Sequence, residues 1–424
     1  MNIEIANARV IDPALGSERA ASVFVAEGKV AAIGGAPARW RADRTLDASG
    51  LIVAPGLVDL AARLREPGLE YKATLESEMI AAVAGGVTSL ACPPDTDPPL
   101  DEPGLVEMLK HRARMLDGAH VYPVGALTQH LDGESLTEMG ELAEAGCIAF
   151  SQADRPFADT QVLLRAMQYA RTFGHHVWLR PQDPYLARGG VAHEGEVATR
   201  LGLAAIPVIA ESIALATMLA LCRATGVALH VCRLSSAEGV ALVRAAKAEG
   251  LPVTADVGVH HLHLADVDIG WFDAQARLSP PLRGSRDRQA LRGAVADGTI
   301  DAICSDHTPV DDDAKQLPFA EAETGATGLE LLLPLTLKWA REDGVPLPVA
   351  LSRITHWPAR ILGIAAGGLA PGDAADLCVF DPLQAWRVDR ASLLSQGRNT
   401  PFLNFEVEGR VRWTLVGGKI VHGA

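Results

Sequence analysis

Charged side chains recur where short apolar runs of this chain end. The run from Leu51 to Leu60 leads into a turn built around Arg65, and later runs end in the same way. The charged residues near these run ends are Arg63, Arg65, Asp95, Arg180, Arg233 and Asp306. A guanidinium stays protonated and has no lone pair, so arginine cannot bind a metal, but it pairs well with carboxylates. Aspartate, in contrast, can accept a proton from a substrate.

The elements between residues 56 and 364 explain how these side chains would meet. Apolar β-type runs alternate there with amphipathic helical stretches about eight times, which is typical of parallel β/α units. Eight such units close into a barrel whose strands all end at one mouth. We therefore predict an α/β fold, a (β/α)8 TIM-type barrel over residues 56–364, with a site at the carboxyl ends of its strands.

The two ends of the chain have a different texture from the middle. Residues 1–50 contain short strand-like runs with Gly28 at a hairpin position, and Gly417-Gly418 marks a second hairpin near the other end. We predict that residues 1–55 and 365–424 pair into one small β-sandwich domain. The polar loop 306–328 is long, and such loops are often mobile lids or interface segments.

Composition excludes several classes of protein. The net charge of −14 argues against a nucleic-acid or anionic-membrane surface. The six cysteines are scattered without a C-x-x-C pair, which indicates reduced, buried thiols in a cytosolic protein. The N-terminus lacks a basic segment followed by an apolar core, and the apolar stretch near Ile213–Cys222 is about half as long as a bilayer requires. We therefore expect a cytoplasmic protein.

A series of motifs resembles the dihydroorotases of the amidohydrolase superfamily. The first, GLVD (56–59) with LREPG (64–68), is similar to the first barrel strand of that family. Further motifs follow in the family's order: PDTDPP (94–99), AFS (149–151), LSPPLR (278–283), DAICSDHTP (301–309) and NTPF (399–402). The resemblance covers nearly the whole chain. It implies the barrel fold and, where the site is complete, zinc-dependent interconversion of carbamoyl aspartate and dihydroorotate.

The metal positions of the family carry over poorly. By resemblance, the four zinc histidines and the bridging acid correspond here to Ala61, Arg63, Gln152 or Ala153, Arg180 and Arg233. Alanine has no donor atom, and protonated arginine has no lone pair. The family's zinc is therefore not expected here, and neither is any other cofactor.

Some of the family's other functional positions keep charged residues. The resemblance assigns the general-base position to Asp306 and the carboxylate-binding position to Arg65. Asp95 stands where the family has asparagine, and it would repel an anionic substrate. We hypothesise that Arg63, Arg180 and Arg233 fill the former metal space with Asp306 as partner. That excess of cations would leave room for a small anion.

Histidines offer one alternative metal site. His261 and His263 could form a His-x-His pair on one strand face, although HHL (260–262) matches a family motif with a packing role. His230 and His307 are interpreted as hydrogen-bonding residues.

Two classes of function remain, with a weaker third. Dihydroorotase-like chains without zinc histidines assemble with aspartate carbamoyltransferase catalytic chains in some bacteria, and that enzyme needs them for assembly and activity. The resemblance therefore implies a pseudoenzyme of pyrimidine biosynthesis, a homo-oligomer within a larger complex. The alternative is an active dihydroorotase, or a related cyclic-amide hydrolase, with a divergent metal site. It predicts bound metal and turnover. The weaker option is a regulator that binds a small anion through the arginines.

Overall fold

The computed structural model describes residues 1–423, and its strands form two eight-stranded sheets and one two-stranded sheet. The strands are β1 (Ile3–Asp12), β2 (Ser17–Ala26), β3 (Lys29–Ile33), β4 (Arg44–Asp47), β5 (Ile52–Pro55), β6 (Leu57–Asp59), β7 (Val87–Cys92), β8 (His120–Ala126), β9 (Ala149–Ser151), β10 (Val177–Leu179), β11 (Ala192–His193), β12 (Ala205–Ile206), β13 (Leu229–Val231), β14 (Val253–Gly258), β15 (Ala302–Cys304), β16 (Leu377–Arg387), β17 (Glu406–Val416) and β18 (Lys419–His422).

Helices connect the strands of the central sheet. They are α1 (Leu75–Ala84), α2 (Pro103–Met115), α3 (Met139–Ala145), α4 (Thr160–Phe173), α5 (Glu196–Leu201), α6 (Ile209–Thr225), α7 (Ala237–Ala248), α8 (Ser285–Asp297), α9 (Leu332–Glu342), α10 (Leu347–Ser352) and α11 (His356–Leu362). Over residues 1–423, none of these helices combines the length and the apolar character that crossing a membrane requires.

The central sheet is a parallel barrel. Its strands follow the order β6-β7-β8-β9-β10-β13-β14-β15, and every neighbouring pair is parallel. Just beyond β15 and β6, the backbone N–H of His307 donates to Ala61 O at 2.9 Å, and that of Arg63 donates to His307 O at 2.9 Å. These bonds join the last strand to the first. The predicted (β/α)8 barrel is thus confirmed.

The barrel strands are buried on both faces, which explains their continuous apolar runs. All six residues of β7 are buried, for example, between the barrel interior and the helical layer. Five of the six cysteines are buried as well, Cys232 is half-buried, and all six are free thiols, as the sequence predicted.

Both ends of the chain enter the second large sheet. Its main order is β18-β17-β16-β5-β1-β2-β3, with β4 beside β1. Strand β5 pairs in parallel with β1 and antiparallel with β16, so it joins the first residues to the last. The chain then passes into the barrel at Gly56, where a Cβ atom would lie 2.1 Å from Thr88 Oγ1. Only glycine lets the two sheets approach this closely.

The polar loop 306–328, for which the sequence suggested a mobile lid or an interface segment, is packed against the barrel. Asn399 Nδ2 donates to Thr308 O at 3.1 Å and to Gly325 O at 3.0 Å, which holds both ends of the loop. Lys315 Nζ donates to Ala274 O at 3.1 Å, and Phe319 is buried. Because the loop is rich in charged residues, its sequence did not indicate that Lys315 and Phe319 face inward.

A buried carboxylate links the barrel to the C-terminal segment. Glu78 in α1 is fully buried and accepts hydrogen bonds from His307 Nε2, from Ser395 Oγ at 2.7 Å and from Gln396 N at 3.0 Å. His307 Nδ1 in turn accepts from Gly328 N at 3.1 Å. His307 is therefore a hydrogen-bonding residue, as the sequence indicated, and it is held as the neutral Nε2–H tautomer.

We expect Glu78→Gln to destabilise the protein strongly, by about 3 kcal/mol, because hydrogen bonds to a buried charge are worth about 1.5–3 kcal/mol each. The matched control is Glu76→Gln, two residues earlier on the exposed side of α1, where we expect a change of about 0.5 kcal/mol or less. Urea denaturation followed by circular dichroism measures both. Equal losses in the two variants would contradict this account of Glu78.

Candidate functional site

The candidate site lies at the mouth formed by the carboxyl ends of the barrel strands. Arg180 directly follows β10, Arg233 is the second residue after β13, and Arg63 is the fourth residue after β6. All three side chains are buried. The parallel barrel brings these distant residues together because its strands end at the same edge.

Three guanidiniums converge on Asp154, the third residue after β9. Asp154 Oδ2 accepts from Arg63 Nη2 at 2.8 Å, and Oδ1 accepts from Arg180 Nε at 2.7 Å and from Arg233 Nη2. Burial alone would raise the pKa of Asp154, but the attraction of Arg233, Arg63 and Arg180 holds it well below its ordinary range. The carboxylate therefore stays ionised at the centre of the cluster.

Asp154 is the residue that the sequence analysis failed to assign. The bridging-acid position was placed at Gln152 or Ala153, but neither supplies a charge to the site. Gln152 Nε2 donates to Thr128 Oγ1 at 2.8 Å, and Ala153 has a left-handed backbone with φ of 49°. The turn at Ala153 directs the side chain of the next residue, Asp154, into the site. The available signal was that Asp154 is the first acidic residue after β9.

Two further aspartates complete the cluster. Asp95 Oδ2 accepts from Arg63 Nε at 2.7 Å, and Asp306 Oδ1 accepts from Arg233 Nη1 at 3.0 Å. Three carboxylates thus face three guanidiniums. The predicted surplus of positive charge, with Asp306 as sole partner, is wrong because Asp95 and Asp154 also contribute. Asp95, expected to repel a substrate, is held in an ion pair instead.

Asp306 sits in a different electrostatic environment from Asp154. Burial raises the pKa of Asp306 to about 6, and the attraction of Arg233 and Arg63 offsets this only in part. Arg63 Nη1 donates a hydrogen bond to Thr308 Oγ1 at 2.9 Å and lies 3.6 Å from Asp306 Oδ1. The site therefore contains one firmly ionised carboxylate and one that titrates near neutrality.

Arg65 stays outside the cluster. Its Nε donates to Pro309 O at 2.9 Å, and burial together with the repulsion of Arg63 lowers its pKa. Arg65, Ala153, Arg233 and Asp306 all have positive φ, between 47° and 63°. This conformation costs a non-glycine residue roughly 1–2 kcal/mol, so their surroundings must impose it.

The donor atoms at this mouth do not fit the zinc pair of dihydroorotases. Ala61 lines the barrel without a donor, and Arg63, Arg180 and Arg233, which the resemblance places at ligand positions, have their guanidiniums in the ion-pair cluster. The alternative pair, His261 and His263, is also separated. Both lie in or beside a 3₁₀ turn instead of on one strand face; His261 Nε2 is 3.1 Å from Pro280 O, and His263 Nε2 is 2.9 Å from Leu335 O.

Asp154 and Asp306 are expected to respond differently to replacement by asparagine. Asp154→Asn should lower the free energy of unfolding by about 3 kcal/mol at pH 7.5, near the lower end for a broken buried ion pair because 32% of the side chain remains exposed. Asp306→Asn should cost less, because ionisation of Asp306 is itself unfavourable in the folded state.

The pH dependence separates the two effects. The raised pKa of Asp306 gives stability that is present below about pH 4 and lost as the pH rises through about 6, so the cost of Asp306→Asn should shrink from pH 4.5 to 7.5. The lowered pKa of Asp154 has the opposite sign, and the cost of Asp154→Asn should not shrink. Urea denaturation at pH 4.5, 6.0 and 7.5 measures both, and a cost of Asp306→Asn that grows with pH would overturn the assignment.

Comparison with known families agrees with the barrel fold. Residues 50–239 match the family described as Dihydro-orotase-like, and residues 186–422 match the Amidohydrolase family. Among solved structures, an L-hydantoinase (dihydropyrimidinase) from Arthrobacter aurescens has a TM-score of 0.87 at 25% identity, covering 99% of this chain and 95% of its own. A dihydropyrimidinase from Brevibacillus agri shares the fold with a TM-score of 0.85 at 21% identity, covering 99% of this chain and 95% of its own.

Relatives of the same length are more similar in sequence. A Dihydroorotase-like protein of Pseudomonas aeruginosa is 48% identical, and a Dihydroorotase of Geobacter metallireducens is 41% identical, each over 100% of both chains. The chain therefore belongs to the amidohydrolase family, among its dihydroorotase-like members.

Proposed function

We propose that this chain is a non-catalytic dihydroorotase-like subunit, required for the assembly and activity of aspartate carbamoyltransferase in pyrimidine biosynthesis. The observation that carries the first part is the ion-pair cluster, in which Arg63, Arg180 and Arg233 stand at metal positions and converge on Asp154. The guanidiniums and carboxylates of this site bind one another, and they fill the space that a catalytic metal pair would need.

The chemistry supports the non-catalytic assignment. Opening or closing a cyclic amide needs a polarised carbonyl and an activated water, which the zinc ions of related enzymes supply. Asp306 could act as a general base, but such assistance contributes about 10²–10⁴-fold. Typical enzymes accelerate their reactions by at least about 10⁶-fold. The guanidiniums cannot make up the difference, because each is engaged by a neighbouring carboxylate.

The partner is inferred from the resemblance, and two features of the chain are compatible with it. The similarity to a dihydroorotase-like protein extends over the full length, so the whole scaffold is kept. The surface also exposes large apolar side chains, among them Trp271, which is 86% exposed beside Phe272. Exposed aromatic groups of this kind occur at protein–protein interfaces.

The alternative is an active dihydroorotase or a related cyclic-amide hydrolase with a divergent metal site. It is favoured by the retained carboxylate of Asp306 and by the 41% identity to the Geobacter protein that bears the name Dihydroorotase. Under this alternative, Asp306 would serve as the general base, and turnover would depend on added metal.

We expect no interconversion of dihydroorotate and carbamoyl aspartate by the purified chain above the uncatalysed rate, even with excess zinc. Absorbance of dihydroorotate measures the reaction in both directions, and a zinc-containing dihydroorotase serves as the positive control. Zinc-dependent turnover that disappears in Asp306→Ala would establish the alternative, provided that the variant keeps the circular dichroism spectrum of the native protein.

We also expect the chain to form a stable complex with aspartate carbamoyltransferase catalytic chains and to raise their activity at least about tenfold. Light scattering after size-exclusion chromatography measures the complex, and carbamoyl aspartate formation measures the activity. Serum albumin at equal mass is the control for non-specific stabilisation. Fully active catalytic chains that elute separately from this protein would refute the assembly role and leave the account of the ion-pair cluster intact.

A further inference from the structure

A second group of polar side chains meets inside the barrel, and the proposed function does not use it. His230 belongs to β13, Asp256 belongs to the neighbouring β14, and Cys232 directly follows β13. Their potential ligand atoms all lie within 4.8 Å of one another. Among residues 1–423, this is the one place where three such side chains gather.

Outer partners orient two of these side chains. His230 Nδ1 lies 2.8 Å from Thr254 Oγ1, so Nε2 points to Asp256 Oδ2 at 2.9 Å. The other carboxylate oxygen, Asp256 Oδ1, accepts from the backbone N–H of Arg233 at 2.6 Å. One nitrogen and one oxygen are therefore fixed by the surroundings, while the other nitrogen and oxygen form a hydrogen bond with each other. Metal-binding histidines and carboxylates are commonly held in this way.

An empty space adjoins the group, and one of the residues that line it carries a buried donor without an acceptor. A cavity of about 30 Å³ is lined by Ala61, Trp178, Cys232 and Asp256, among others. Trp178 is 2% exposed, and within residues 1–423 its Nε1–H has no hydrogen-bond partner. A buried N–H normally has a partner, because leaving it without one is costly. The cavity is larger than the roughly 10–15 Å³ that one water molecule needs.

We propose that His230 Nε2, Cys232 Sγ and Asp256 Oδ2 bind a single zinc-class divalent cation, with a water in the cavity as fourth ligand. That water accepts the hydrogen bond of Trp178 Nε1–H. The ion takes the thiolate of Cys232, whose proton is released to solvent. The proton that His230 Nε2 shares with Asp256 Oδ2 moves to Nδ1, which then donates to Thr254 Oγ1. The two anionic ligands, Cys232 and Asp256, neutralise the charge of the ion. None of the three ligands occupies a position where the dihydroorotase resemblance places a zinc ligand. The proposed ion joins β13 to β14 and does not depend on the partner proposed above.

The required rearrangement is small. Zinc lies about 2.0–2.3 Å from nitrogen, oxygen and sulfur ligands, so tetrahedral ligand atoms are about 3.5 Å apart. His230 Nε2 and Asp256 Oδ2 lie 2.9 Å apart and must separate by about 0.5 Å as the ion replaces their hydrogen bond. The ligand atoms of the three residues already lie within 4.8 Å of one another, so a rotation of the short Cys232 side chain supplies the remaining approach.

Cobalt titration tests the proposal directly, because Co²⁺ replaces zinc and reports a thiolate ligand through a charge-transfer band. The reduced, desalted protein is titrated with Co²⁺ while its absorbance is recorded. We expect one equivalent to bind per chain, a near-ultraviolet charge-transfer band and the strong visible bands of a four-coordinate ion. Cys232→Ser should abolish the charge-transfer band. Cys92→Ser, which removes another buried thiol at the end of β7, should keep it.

Two results would overturn the proposal: no charge-transfer band in the folded native protein, or a band that persists in Cys232→Ser. If Cys232→Ser does not fold, X-ray absorption of the zinc-loaded native protein decides the question. One sulfur ligand at about 2.3 Å supports the site, and a shell without sulfur contradicts it.

Discussion

The carboxylate of Asp154 is the interaction on which the barrel mouth depends. Arginines from three different strand ends donate to it, so it ties together segments that are far apart in sequence. Each buried guanidinium would be very costly alone, because desolvation of an unpaired charge outweighs most other contributions. Paired with Asp154 and its neighbours, the same charges form a neutral cluster. Loss of any single member would leave another charge of the cluster unpaired, and this limits the substitutions that the mouth can tolerate.

Cationic side chains explain why the remaining acidic residues are tolerated in this dihydroorotase-like scaffold. A zinc pair supplies positive charge at the strand ends, and carboxylates nearby depend on it. Here Arg233 faces Asp306 and Arg63 faces Asp95, so guanidiniums supply positive charge beside these carboxylates. Relative to a zinc pair, guanidiniums keep the charge balance of the mouth but not its chemistry. A guanidinium donates hydrogen bonds in fixed directions, whereas a metal ion offers open coordination positions to substrate and water.

The sequence predicted the barrel and the convergence of its arginines, because alternation of apolar runs and the common direction of parallel strands determine both. It did not predict the carboxylate partners in full, because Asp154 reaches the site through the left-handed backbone of Ala153, which a pattern of residue types does not reveal. It also placed His261 and His263 on a strand, although the chain turns there after β14. The anchors of loop 306–328, such as Asn399, lie far away in sequence, so the sequence did not reveal how this loop is held.

Arg233 connects the mouth to the barrel interior. Its side chain pairs with Asp154 and Asp306, while its backbone N–H donates to Asp256, next to His230. The positive φ of Arg233, 53°, lets one residue serve both layers at once. A change in the mouth that moved this backbone would therefore also shift the carboxylate of Asp256. The hydrogen bond from the Arg233 peptide group to Asp256 therefore links the mouth to the interior, and a substitution at Arg233 would affect both.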